Sequence, residues 1–209
     1  MAAARESLAA TQIQEAVAFK EAGNAFVKAA DYRKALGSYH KVFCYVNGLQ
    51  VPGEQTEAAN YTQMMGSQNP GVQVPKECVE ELMQLKASTH LNMSLCYLKV
   101  GNHTKCVDAC TKAIFLGATS KAYFRRGQAH LELGHLDEAQ ADLKEASSLE
   151  PGNQAIAAEL RRLKAAFSQH DAMERKRYAK MFKKSSVAEA PCKEEEPPAA
   201  AATAEASEA

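Results

Sequence analysis

The stretch SKAYFRRGQAHLELGHLDEAQADLKEASSLEP, residues 120–151, decides the reading of the chain. Its apolar and small residues fall on three- and four-residue steps, the period of a helix with one buried face. The pattern breaks at Gly134-His135 and ends at Pro151-Gly152, which gives two helices of about a dozen residues joined by a tight turn. The same grammar occurs twice upstream. ASTHLNMSLCYLKVGNHTKCVDACTKAIFL, residues 87–116, turns at Gly101-Asn102, and QEAVAFKEAGNAFVKAADYRKALGSYHKVF, residues 14–43, turns at AADY.

Aligned on these turns, the segments form a repeat. Phe19, Gly23, Phe26, Ala35, Tyr39 and Val42 stand where the last copy has Tyr123, Gly127, His130, Ala139, Leu143 and Ala146. The middle copy offers Ser94, Tyr97, Gly101, Cys106, Cys110 and Ala113. Cys106 and Ala139 then mark one full period of the pattern. A helix–turn–helix unit with a period near 34 is the signature of a tetratricopeptide repeat, and its small residues let crossing helices approach closely. The expected fold is all-α, a helical solenoid of three helix pairs (residues 16–49, 87–119 and 120–153) plus a long terminal helix over 154–184. That last helix would cover the apolar face left open at the end of the stack. Residues 1–12 read as an N-terminal extension. Residues 50–75, with three Pro and three Gly, read as an exposed loop inserted after the first pair.

Charge sharpens this picture. The chain has 25 Lys and Arg against 25 Asp and Glu, so its formal net charge is zero, unlike the cation excess of a nucleic-acid binder. The balance is local, however. Residues 161–184 hold nine cations against Asp171 and Glu174, whereas residues 185–209 hold six Glu against Lys193. The acidic stretch, with Val187 as its one large apolar residue, is expected to stay disordered. No apolar run approaches the roughly 20 residues of a membrane span, and the first residues lack a secretory core, so a cytoplasmic or also nuclear setting is expected. Six scattered Cys without a CxxC pair read as reduced thiols. Cys106 and Cys110, with His103 nearby, take repeat core positions rather than ligand positions; Cys44, Cys78 and Cys96 read as core or half-buried thiols. No metal or cofactor site and no catalytic constellation is expected, and the chain reads as a non-enzyme.

Five polar residues carry the chemistry. Lys20 and Asn24 lie four apart on the first helix of the first pair, Lys121 and Arg125 four apart on that of the third, and Asn92 on that of the second. First helices of successive repeats line one groove, where three cations and two amides suit carboxylates. This pattern resembles the two-carboxylate clamp of co-chaperones whose tetratricopeptide domains bind the C-terminal Glu-Glu-Val-Asp peptide of heat shock protein 90 and heat shock protein 70. HLNMSLCYLK, KAYFRRGQAHL and RKRYAKMF also resemble the C-terminal repeat region of large immunophilins, over about residues 13–184. Only about a dozen residues precede the first repeat, so the isomerase activity of that family is not carried over. Free-standing tetratricopeptide repeat protein 9-like proteins are a similar architecture. The resemblance implies that Lys20, Asn24 and Asn92 hold the terminal carboxylate and Lys121 the Asp side chain. Arg125 would support that side chain or a peptide carbonyl, and Phe26 and Leu95 would receive the Val. The alternatives are a scaffold for another acidic C-terminus, and a calmodulin- or membrane-surface-binding role for the basic terminal helix, without membrane insertion.

Overall fold

The computed structural model describes residues 2–47, 49–50, 72–117 and 119–188, with side chains at 8–47, 49, 74–117 and 119–181. Among these residues the order is α1 (Ala2–Lys28), α2 (Tyr32–Val46), β1 (Leu49–Gln50), β2 (Val72–Gln73), α3 (Lys76–Val100), α4 (His103–Leu116), α5 (Ser120–Leu133), α6 (Leu136–Leu149) and α7 (Gln154–Ala188). Consecutive helices pack as pairs, α1 with α2, α3 with α4 and α5 with α6; α3 also meets α1, α2 and α5, while α4 meets α5. This is the tetratricopeptide helical solenoid that the repeat spacing implies.

The repeat positions explain the packing. Ala35, Cys106 and Ala139 are fully buried, as are Tyr39, Cys110 and Leu143 one turn later. Helix crossings are close where the sequence places glycine. A Cβ on Gly23 would sit 2.5 Å from the Tyr39 ring, and one on Gly127 would sit 2.9 Å from Leu143 Cγ. The structure also moves the middle copy's register. Gly101 and Gly134, one period apart, both close a helix in the left-handed region at φ 82° and 80°. That pairs Gly101 with Gly134, buried Ser94 with Gly23 and Gly127, and Tyr97 with Phe26 and His130.

Three further features depart from expectation. Helix α1 starts at Ala2, not at residue 16, because Ala9, Ile13 and Ala16 bury one face against Val42, Val46, Leu82 and Leu85. The inserted segment does not end as a loop: Val74 is buried in the same core, and Val72–Gln73 pairs in parallel with Leu49–Gln50. The rest of the insert, 51–71, lies outside the described residues. Cys44 is exposed and donates to the His40 carbonyl at 3.6 Å, whereas Cys78 is half-buried and Cys96 fully buried.

The molecule divides into two units, residues 1–167 and 168–209. In the first, the opening turns of α7 bring Leu163, Leu160 and Phe167 onto Ala139, Leu143 and Phe124, closing the third pair. In the second, α7 continues with Met173, Tyr178 and Met181 exposed. The acidic stretch from residue 189 onward, Cys192 included, lies outside the described residues. No described helix is long and apolar enough to cross a membrane.

Candidate functional site

Helices α1, α3 and α5 are the first helices of their pairs, and each carries polar side chains four residues apart. On α1 these are Lys20 and Asn24, on α3 Ser88 and Asn92, and on α5 Lys121 and Arg125; both members of a pair shift by the same offset from one helix to the next. Two hydrogen bonds join α1 to α3 in that register: Lys20 Nζ donates to Ser88 Oγ at 3.0 Å, and Asn92 Nδ2 donates to Asn24 Oδ1 at 2.9 Å. Ser88 can accept because its own proton goes to the Leu85 carbonyl at 3.1 Å.

Asn24 is fixed from a third side. The Tyr39 hydroxyl on α2 donates to Asn24 Oδ1 at 2.7 Å. Burial pushes the Tyr39 phenol up to about 12, so it keeps its proton and remains a donor. With both lone pairs of Oδ1 taken, the amide of Asn24 presents its N–H groups as donors, and none has a partner among the described residues. Arg125 closes the other side. Its Nη1 donates to the Leu91 carbonyl and, at 3.5 Å, to Ser94 Oγ, which fastens α5 to the middle of α3. Burial draws this guanidinium below its usual value. Lys121 is exposed, one turn before Arg125, with no ion-pair partner among the described residues.

Thus Lys20 and Asn24 each bond across to α3, Lys20 on Ser88 and Asn24 on Asn92, Arg125 joins α3 at Leu91 and Ser94 on either side of Asn92, and Lys121 projects from the same helix as Arg125. Phe26 and Leu95 are both half-buried, Phe26 packing on the core around Tyr39 and Cys96. Neither lines the cavity of about 470 Å³ beside Ser88 and Leu91, whose apolar walls are Met83, Ala87 and Leu116. Sequence reasoning missed Ser88, Tyr39 and Ser94 as supports. Ser88 was accessible, because it stands one repeat before Lys121 and one turn before Asn92.

Other polar clusters have structural work. Arg126 grips Asp142 with two hydrogen bonds, at 2.8 and 2.6 Å, and the His130 ring lies 3.9 Å from the same carboxylate. Cys106 and Cys110 are fully buried; Cys106 Sγ donates to the Ser94 carbonyl at 3.3 Å, and its thiol is pushed up by its bond to Cys110 and by burial. Among the described residues no group of three His, Cys, Asp or Glu side chains is placed to hold a metal ion.

The fold is that of a tetratricopeptide repeat domain, and residues 120–153 match the tetratricopeptide repeat family. The domain is similar to the repeat region of immunophilins: it is 27% identical to peptidyl-prolyl cis-trans isomerase FKBP4 of Mus musculus over 181 residues, 86% of this chain. The match spans 34% of that protein, so the chain covers about a third of its curated relatives' length. Among solved structures, the C-terminal tetratricopeptide domain of a Plasmodium falciparum FK506-binding protein superposes with a TM-score of 0.60 at 21% identity, covering 78% of this chain and 93% of that one. The second tetratricopeptide domain of human RPAP3, determined in complex with an HSP70 peptide, superposes with a TM-score of 0.52 at 27% identity, covering 73% and 98%.

Proposed function

We propose that this chain is a non-catalytic docking module that grips the free C-terminus of a chaperone, a peptide ending in Glu-Glu-Val-Asp from heat shock protein 90 or heat shock protein 70. The observation that carries the reading is the orientation of Asn24. Its carbonyl oxygen is occupied by Tyr39 and Asn92, so what the Asn24 amide has left to offer a ligand is its N–H groups, one helical turn from the Lys20 ammonium. A terminal carboxylate is the ligand that accepts from Lys20, Asn24 and Asn92 together. Lys121 reaches the adjacent Asp side chain, and the N–H groups of Arg125 not used on α3 support it. The Val packs beside Leu95 and the exposed edge of Phe26, and an aliphatic residue further upstream enters the cavity lined by Met83, Ala87 and Leu116. The RPAP3 domain, solved with a peptide carrying this terminus, supports the choice of ligand.

Charge-assisted bonds of about 1.5–3 kcal/mol each, offset by the cost of ordering a flexible peptide, place the affinity around micromolar. Calorimetry with a peptide ending in Met-Glu-Glu-Val-Asp tests this. Amidation of the peptide's terminus is expected to weaken binding at least tenfold, and Lys20→Ala roughly thirtyfold, about 2 kcal/mol. Equal affinity for the free and amidated peptides would refute the reading.

A further inference from the structure

A second recess lies on the other side of α3. Lys86, His90, Met93 and Tyr97 recur every three to four residues along that helix, two residues out of phase with Ser88, Asn92 and Leu95. Two residues correspond to about 200° around a helix axis, so the two rows face away from one another. The first row, with residues of α2 and α4, encloses a cavity of about 740 Å³. This is within the range of roughly 300–1,000 Å³ typical of ligand sites.

The floor of the cavity is aromatic. Phe43 stacks on the His90 ring with centroids 4.4 Å apart, and Tyr97 OH lies 3.1 Å from His40 Nε2. Burial and the nearby Lys112, Lys86 and His40 hold His90 down at about 4, so at neutral pH the His90 ring is uncharged. The rim is different. Lys86, Lys105 and Lys112 border the opening, and Asp108 is the single acid there. None of the three ammonium groups has an ion-pair partner among the described residues. Phe115, also on the rim, is 87% exposed, an unusual position for a large apolar side chain on a helix with buried neighbours at Ala113 and Cys110.

From this juxtaposition of an aromatic floor, an exposed phenylalanine and three lysines without an ion-pair partner among the described residues, we propose that the α2–α3–α4 recess is a second peptide-docking site, taking an internal acidic segment that carries one aromatic side chain. The aromatic ring enters between the Phe43–His90 stack and Phe115, where offset stacking adds to the area buried. Carboxylates on either side of it meet Lys86, Lys105 and Lys112. Such a segment needs no free chain end, which distinguishes it from the ligand of the α1–α3–α5 row.

The test uses the full chain and the peptide Ser-Glu-Asp-Phe-Glu-Asp-Ser, labelled with fluorescein at its N-terminus and amidated at its C-terminus. Binding is followed by fluorescence anisotropy and by backbone amide shifts in residues 105–115. Saturable binding with Kd of roughly 10–200 μM is expected, weakening as salt rises. The Lys105→Glu/Lys112→Glu double variant should raise Kd at least tenfold, and Phe115→Ala about threefold. All three side chains are exposed, so the fold is preserved, and an unchanged thermal midpoint verifies it. Lys20→Ala should bind this peptide like the parent while losing the chaperone peptide, so failure of the two sites is distinguishable. No saturation by about 1 mM, equal affinity for the peptide with Phe replaced by Gly, or no effect of the double variant would overturn the proposal. So would a dimer in sedimentation that Phe115→Ala dissociates, since the recess would then belong to a second copy.

Discussion

At the residue scale, single side chains hold the site by what they leave unfilled as much as by what they touch. Gly23 is the clearest case, since a methyl group there would press on the Tyr39 ring whose hydroxyl orients Asn24. Gly23→Ala is expected to cost about 1–3 kcal/mol of stability, measured by urea denaturation, and to weaken the chaperone peptide as well. A Cβ on Gly127 would come 2.9 Å from Leu143 Cγ, a side chain with no hydrogen bond to the row, so Gly127→Ala should cost stability with little change in affinity. His90 supplies the pH dependence. Its pKa is about 4 in the folded chain against 6.5 for the free side chain, so the unfolded chain binds the extra proton more readily. Its contribution is therefore complete above pH 6.5 and is lost as pH falls toward 4. With allowance for the ring's partial exposure the loss is about 1–2 kcal/mol. His90→Gln should flatten the stability profile over that window, and an equally steep profile would assign it to other groups.

At the element scale, the three turns between paired helices are one device used three times. Asp31 N donates to the Phe26 carbonyl, Asn102 N to that of Tyr97 and His135 N to that of His130, each at 2.9 Å, and the residue before the donor has positive φ. Glycine fills that position at 101 and 134, but Ala30 fills it in the first pair at φ 57°. An alanine is strained there, so Ala30→Gly should raise stability by about 0.5–1 kcal/mol, and Gly134→Ala should lower it by a similar amount, both read from thermal midpoints. These turns were legible because Gly-Asn, Gly-His and AADY each interrupt an apolar period. Helix α1 before residue 16 was less legible, since its buried face is built from Ala9, Ile13 and Ala16, and alanine carries a weak periodic signal. The polar pairs show in the sequence by their four-residue spacing, and Ser88 shows by the same spacing from Asn92. Tyr39 and Ser94 do not, because Tyr39 counted as a core aromatic and Ser94 stood in the wrong register. Hydrogen bonds from one helix to another leave no local pattern in the chain.

At the scale of the whole molecule, the repeat stack is an open chain of nearest-neighbour interfaces, so its last face must be covered by something that is not another repeat. In the unit ending at residue 167, that cover is the start of α7. Ile156 and Leu163 are buried, Leu163 lying against Ala139 and Leu143, while Leu160 and Phe167 pack at the edge. Leu163→Ala removes a buried side chain from an interface whose partners, alanine and leucine on one rigid helix, have little room to collapse. It is expected to destabilise the domain by about 2–4 kcal/mol. Met173, 70% exposed further along the same helix, should tolerate Met173→Ala within about 0.5 kcal/mol. The informative comparison is between unfolding and binding. Leu163 packs on Ala139 and Leu143 of α6 with Phe124 and Leu131 of α5 at the edge of the cluster, and Leu163→Ala leaves in place the Gln128–Glu159 and Arg162–Glu132 hydrogen bonds that tie α7 to α5. The polar row is held by bonds among α1, α2, α3 and α5. Calorimetry well below the lowered thermal midpoint should therefore find the chaperone peptide bound with nearly unchanged affinity in Leu163→Ala. A parallel loss of affinity would mean that the capping helix sets the spacing of α3 and α5, and that the row is assembled by the stack as a whole.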